Sequence, residues 1–323
     1  MATFTTLDLA DPAAIARAAD LGPVTALAPI AAGTINSNFA LTCGAARWFV
    51  RVNEGKRPDD VTWEAELVAA LAAAGLPTPV PRAIGGQRWL AHRGLLVSVF
   101  PWVDGAIRPA AAVTVADAAR LGQTLGVLHR GAAPRWPALG RAGIYQWPDV
   151  VARLDAIAAA ARPELGSALA ELTATATALA AAAAPRAAAR HGIIHGDLFR
   201  DNVLWHGDAI TAILDFEQAS SGALVYDVAV AVNDWCWDDR LDAARAHALV
   251  AAHRAESAWT DADRAAFGPE LVAAAARFTI TRITDVYLRQ VDNPDKDYRA
   301  FLARLRYWRS PDGARMLAEL AGS

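Results

Sequence analysis

HGIIHGDLFRDNVLWHGDAITAILDFEQASSGALVYDVA, residues 191–229, is the densest stretch of chemistry-bearing side chains in the sequence. Two apolar runs, Val203–Trp205 and Ile210–Leu214, flank a short His206-Gly207-Asp208 turn and read as a β-hairpin. Asp197 and Asn202 stand just before the hairpin and Asp215 just after it. A hairpin returns its ends to the same place, so these three side chains are expected to converge. Two carboxylates and an amide oxygen make a hard-oxygen set, suited to Mg²⁺ and not to zinc, with substrate phosphates completing the octahedron. Alone, Asp197 would read as an ordinary turn or cap residue; Asn202 and Asp215 at these spacings reverse that reading.

Outward from this stretch, the chain divides into two kinds of sequence. Residues 6–20 read as a short helix, with Asp11 and Pro12 at its start. Strands are expected near 27–31, 38–43 and 47–53, a helix over 61–74, and two further strands over 87–92 and 94–100. After Gly105 the sequence turns helical and alanine-rich. Residues 111–130 and 148–184 have helical spacing, and 224–323 return to helix with breaks at Gly268-Pro269 and Asn293-Pro294. There is no internal repeat.

Composition narrows the class. The 323 residues are 54% hydrophobic and 20% charged, as in a folded chain of about two domains. Net charge is −3, from 31 basic against 34 acidic residues, which argues against a broad nucleic-acid surface. The mean hydropathy of +0.19 is partly an alanine effect, and the run 172–185 is shorter than the ~18 residues a spanning helix needs. The opening residues show no signal-peptide pattern, and the two cysteines, Cys43 and Cys236, cannot build a disulfide framework or a four-ligand zinc site. A cytoplasmic protein without a membrane or nucleic-acid partner is the expectation; oligomeric state is not readable.

HGDLFRDN followed by ILDFE resembles the catalytic loop and metal motif of the aminoglycoside phosphotransferase and choline kinase superfamily, whose fold is similar to that of protein kinases. Asn202 lies five residues after Asp197, as in the kinase pattern. Within that superfamily the closer resemblance is to the type II homoserine kinases, carried by HGDLFRDNVLW, ILDF and YDVAVAVNDWC (226–236), and by AAAARFTITRITD (273–285). The resemblance covers roughly residues 25–310. It implies an α+β, protein-kinase-like two-lobe fold: a small β-rich N-lobe over 1–101, a larger, mostly helical C-lobe over 102–323, a hinge near Phe100–Gly105 and an ATP and Mg²⁺ site between the lobes.

The resemblance also implies roles. Asp197 accepts the proton of the attacking hydroxyl, Asn202 and Asp215 hold Mg²⁺, His195 supports the loop and Asp227 braces the C-lobe. GTINSNFAL (33–41) resembles the loop over the phosphates, placing Gly33, Thr34 and Asn38 near ATP, although an ordinary hairpin turn would also use these residues. Glu64 stands where the family carries its ion-pair glutamate, and Phe100 on the nucleotide side of the hinge. Where a protein kinase has lysine on the third strand, this chain has Arg51, with Lys56 the rival for the phosphates.

The acceptor implied is a small alcohol, L-homoserine first. Choline, ethanolamine, hydroxylysine or an aminoglycoside are the alternatives, and a nucleotide-binding pseudokinase is the reading from another class. Asn233 and Asp234 are candidates for an ammonium group, and Arg277 or Arg282 for a carboxylate. The two arginines are ~140° apart around a helix, so at most one reaches a pocket. For Trp235 a place in the core competes with a place in that pocket. The chain departs from the family at Gly196, at ESAWTDAD (256–263) and after Asp285.

Overall fold

A computed structural model describes residues 11–30 and 36–322. The first elements are α1 (Asp11–Ala18), β1 (Val24–Ile30), β2 (Ser37–Cys43), β3 (Ala46–Val52), α2 (Pro58–Ala73), β4 (Leu90–His92) and β5 (Leu95–Pro101). Next come α3 (Val115–Ala132), α4 (Trp136–Leu139), α5 (Trp147–Ala159), α6 (Gly166–Ala181) and α7 (Ala183–Ala188). Four short strands follow: β6 (His191–Ile194), β7 (Val203–His206), β8 (Ala209–Ile213) and β9 (Ser220–Ala223). The chain closes with α8 (Leu224–Trp235), α9 (Ala243–Glu256), α10 (Asp261–Arg282), α11 (Tyr298–Trp308) and α12 (Pro311–Gly322). The architecture is α+β, a five-stranded antiparallel sheet with a mostly helical remainder. No described helix is long and apolar enough to cross a membrane.

The chain forms two compact units. One comprises residues 1–106 and 204–217, the other 107–203 and 218–323. The first unit is built on a five-stranded antiparallel sheet in the order β1-β2-β3-β5-β4. Strand period two decides its faces: Phe39, Leu41 and Cys43 alternate inward on β2, and Val50, Val52, Val97 and Val99 have no exposed surface. Ile15 and Ala16 of α1 join this core. The expected hairpin of β7 and β8 belongs to this unit, with Gly207 in the left-handed region at φ +55°.

The second unit is helical around α8, whose residues are buried at nearly every position, and α10. Helices α3 and α9 pack so closely that a Cβ on Gly122 would lie 2.1 Å from the Leu249 carbonyl oxygen. Glycine there is a requirement of the helix contact.

Two expectations are corrected. The helix over 148–184 is interrupted after Ala159, where Ala161 takes φ +48° and Pro163 starts a short 3₁₀ turn. Conversely, Gly268-Pro269 does not break α10, which runs through Pro269. Burial of Ala273–Ala276 and Phe278 on that helix outweighs the one lost backbone bond.

Candidate active site

The first unit gathers charge around the end of β8. Arg51 sits on β3, opposite Asn38 on β2 and Ser98 on β5, and is 8% exposed. Its guanidinium donates to Glu64 of α2 at 2.8 Å, lies 3.5 Å from Glu217 and stands 5.2 Å over the Phe100 ring. Lys56 reaches the same two carboxylates, Glu64 at 3.2 Å and Glu217 at 2.8 Å. Both cations are held by the same pair of acids. Glu217 also accepts from the Asn36 amide. Glu64 is held ionised. Burial works against its charge, but Arg51 and Lys56 outweigh it and keep its pKa below the usual range.

Asp215 follows β8 in the left-handed region, at φ +62°, a conformation an aspartate keeps only when its surroundings impose it. Asp215 itself is solvent-exposed. Loss of hydration, then the Glu217 and Glu64 charges, raise its pKa to about 7 against the pull of Arg51 and Lys56. Three carboxylates against two cations leave an excess of negative charge. That hard-oxygen surplus fits a divalent cation such as Mg²⁺. Among the described residues no three His, Cys, Asp or Glu side chains are arranged to hold a metal. Gly33 and Thr34 lie outside the described residues.

The second unit builds the Asp197 loop between β6 and β7. Asp227 on α8, wholly buried, accepts from the backbone N–H of His195 at 2.6 Å and of Gly196 at 2.7 Å. Behind it, His129 of α3 meets Asp227 at 3.1 Å and His253 of α9 at 2.9 Å, and the Trp259 indole donates to His253 Nδ1 at 3.0 Å. An indole N–H can only donate. His253 therefore carries its proton on Nε2 and gives it to His129 Nδ1, and His129 Nε2–H points at Asp227. Both rings are neutral and every donor has an acceptor. Burial, together with His129 and Arg190, also holds the His253 pKa well below the usual histidine value.

Within the loop, Asn202 Nδ2 donates to the Asp197 carbonyl at 2.9 Å, the Asp197 N–H donates to His195 Nδ1 at 3.3 Å, and Gln218 Nε2 donates to Asp197 Oδ2 at 2.8 Å. Asp197, Asn202, His195 and Asp227 are thus brought together in this unit, while Asp215 belongs to the other.

The remaining candidates are mostly scaffold. Asn233 is fully buried; its Nδ2 donates to the Ala229 and Leu271 carbonyls, each at 3.0 Å, and its oxygen accepts from the Trp308 indole at 2.8 Å. A wholly enclosed amide with its donors and acceptor engaged is not open to an ammonium ligand. Asp234 is taken by Arg200, through the backbone N–H at 2.9 Å and the guanidinium at 3.1 and 3.3 Å. Trp235 is core, its indole capping the Leu198 carbonyl at 3.0 Å. Arg282 stacks 4.3 Å over Phe301 and donates to the Asp297 carbonyl at 3.2 Å. Arg277 differs. It donates to the Gly196 carbonyl at 2.6 Å, to the Tyr226 hydroxyl at 3.2 Å and to Gln218 Oε1, and it stands 4.4 Å over Tyr145.

Arg277 also lines a cavity of about 250 Å³ with Tyr145, Arg186, Gly196, Gln218 and Glu270. Arg186 and Glu270 pair across two bonds, 2.9 and 3.2 Å. Glu217, Gln218, Tyr145, Arg186 and Glu270 were all missed by the sequence reading. Only Glu217 and Gln218 carried a signal, their place directly after the Asp215-Phe216 pair.

Residues 26–261 match the Phosphotransferase enzyme family (APH). A homoserine kinase of Gluconacetobacter diazotrophicus is 35% identical over 307 residues, covering 90% of this chain and 91% of that protein. One from Granulibacter bethesdensis is 32% identical, over 88% and 89%. Among solved structures, a microcompartment-associated aminopropanol kinase superposes with TM-score 0.72 at 20% identity, covering 95% of this chain and all of the other. The amicoumacin kinase hAmiN, in complex with AMP-PNP, Ca²⁺ and Ami, gives 0.68 at 15% identity, over 96% and 92%.

Proposed function

This chain belongs to the phosphotransferase enzyme family and is a small-molecule kinase, and from that premise we propose that it transfers the γ-phosphoryl group of ATP to the hydroxyl of L-homoserine. Asp197 accepts the hydroxyl proton as the new O–P bond forms. The bond between the β–γ bridging oxygen and the γ-phosphorus breaks, and ADP leaves with that electron pair. The transition state is loose, so positioning and charge neutralisation supply most of the acceleration. Mg²⁺, for which the family resemblance names Asn202 and Asp215, would neutralise phosphate charge. Arg51 and Lys56, set by Glu64 and Glu217, face the nucleotide with Asn38 and Phe100.

The observation that carries the acceptor is the charge of the cavity beside Gly196 and Gln218. Arg186 and Arg277 against Glu270 leave one positive charge in excess. That suits the carboxylate of an amino acid. Choline, ethanolamine or a polycationic aminoglycoside brings only positive charge to the same arginines. The homoserine kinases at 35% and 32% identity support the same choice.

The test is ³¹P NMR of product from Mg-ATP with L-homoserine, choline, ethanolamine or an aminoglycoside. O-phosphohomoserine as the principal product is expected. Efficient phosphorylation of a cationic acceptor with homoserine inert would overturn the assignment.

A further inference from the structure

We propose that Gln218 is a positioning residue for the base, fixing the Asp197 carboxylate through its side-chain amide; this rests on the reading of Asp197 as proton acceptor.

The orientation of the amide is forced. A guanidinium has only donors, so the side of Gln218 that meets Arg277 must be Oε1. Its NH₂ then points at Asp197 Oδ2, at 2.8 Å. Arg277 is buried and donates at the same time to the Gly196 carbonyl, one residue before Asp197. One cation therefore holds the loop backbone directly and its carboxylate through Gln218. Gly196 makes room for this arrangement. It takes φ +77°, and a Cβ there would come 3.2 Å from the Gln218 carbonyl oxygen.

Arg277 keeps its charge in this buried place. Burial works against it, but Tyr226 and the Asp197 carboxylate raise its pKa above the ordinary arginine value. A donor aimed at a carboxylate oxygen limits rotation about the Asp197 χ2 torsion, otherwise a broad and soft one. A base displaced by about 1 Å costs on the order of 10²-fold in rate.

Two substitutions separate this role from simple support of Arg277. Gln218→Leu removes both bonds at nearly constant volume. Gln218→Glu keeps an acceptor for Arg277 but puts a carboxylate where Asp197 needs a donor. Initial rates are measured with whichever acceptor the wild type phosphorylates, beside thermal melts and an Asp197→Ala control. The expected result is a kcat loss of about 10–100-fold in both variants, with KM for ATP within about twofold. Melting of Gln218→Glu stays close to wild type. Wild-type kcat in Gln218→Glu would assign Gln218 to supporting Arg277 and overturn the inference, as would a rise in KM at constant kcat. If Asp197→Ala itself turned over normally, the reading of the base would fail instead.

Discussion

Replacing Asp227 by Asn tests the anchor beneath the Asp197 loop. The native carboxylate has no exposed surface and takes three hydrogen bonds: the His195 N–H at 2.6 Å, the Gly196 N–H at 2.7 Å and His129 at 3.1 Å. All three partners donate, because the Trp259–His253–His129 chain is polarised toward Asp227. An asparagine offers one oxygen and one NH₂ group. At least one donor then faces another donor in a site without water access. A hydrogen bond to a charged group is worth about 1.5–3 kcal/mol, and disrupting a buried charged set costs about 3–5 kcal/mol. Asp227→Asn should therefore lose ~3–5 kcal/mol, a large part of the 5–15 kcal/mol typical of a domain. Its kcat should fall with it as the loop loses its anchor.

The same site predicts a pH dependence. Burial opposes the Asp227 charge, but the His129 ring, His195 and the Gly196 N–H outweigh it and lower its pKa. A carboxylate lowered by folding adds stability above its unfolded pKa of about 4 and loses it as pH falls through the folded value. The wild type should shed this increment below about pH 4. Asp227→Asn should lack it at pH 7 and show a shallower acid limb. Urea unfolding by circular dichroism at pH 3 to 7, with turnover at pH 7, reads both. A variant within 1 kcal/mol of wild type at pH 7 with unchanged kcat would refute the reasoning.

Glu64→Gln leaves Glu217 alone to hold Arg51 and Lys56. We expect Mg-ATP affinity to fall about tenfold, ~1.4 kcal/mol, measured by nucleotide titration, with acceptor KM unchanged. Asn233→Ala strands the Trp308 indole N–H in the core and should cost about 1–3 kcal/mol in unfolding experiments. Its acceptor KM should not move; a selective rise in that KM would return Asn233 to the binding site.

The parts of the molecule that depend on local sequence were legible. The β7–β8 hairpin and the strands of the first sheet follow from period-two alternation and a Gly-containing turn, while the brace at Asp227 was implied by the family resemblance. What escaped depends on contacts between distant segments. Arg186 meets Glu270, and Arg277 meets Gln218, across 84 and 59 residues. No local pattern marks such pairs. Asn233 and Asp234 read as ligands because their Asn-Asp-Trp run stands next to the presumed metal site. Their partners, Trp308 and Arg200, turn them into scaffold. Pro269 misled for a related reason: a propensity rule met a helix whose burial overrides it.

The central claim is that Asp197 takes the acceptor proton. Single-turnover phosphoryl transfer from ATP to L-homoserine by Asp197→Ala, with ATP affinity measured in parallel, tests it most directly. The account predicts transfer slowed by ~10²–10⁴-fold with ATP binding within about threefold of wild type. Transfer at the wild-type rate would contradict it.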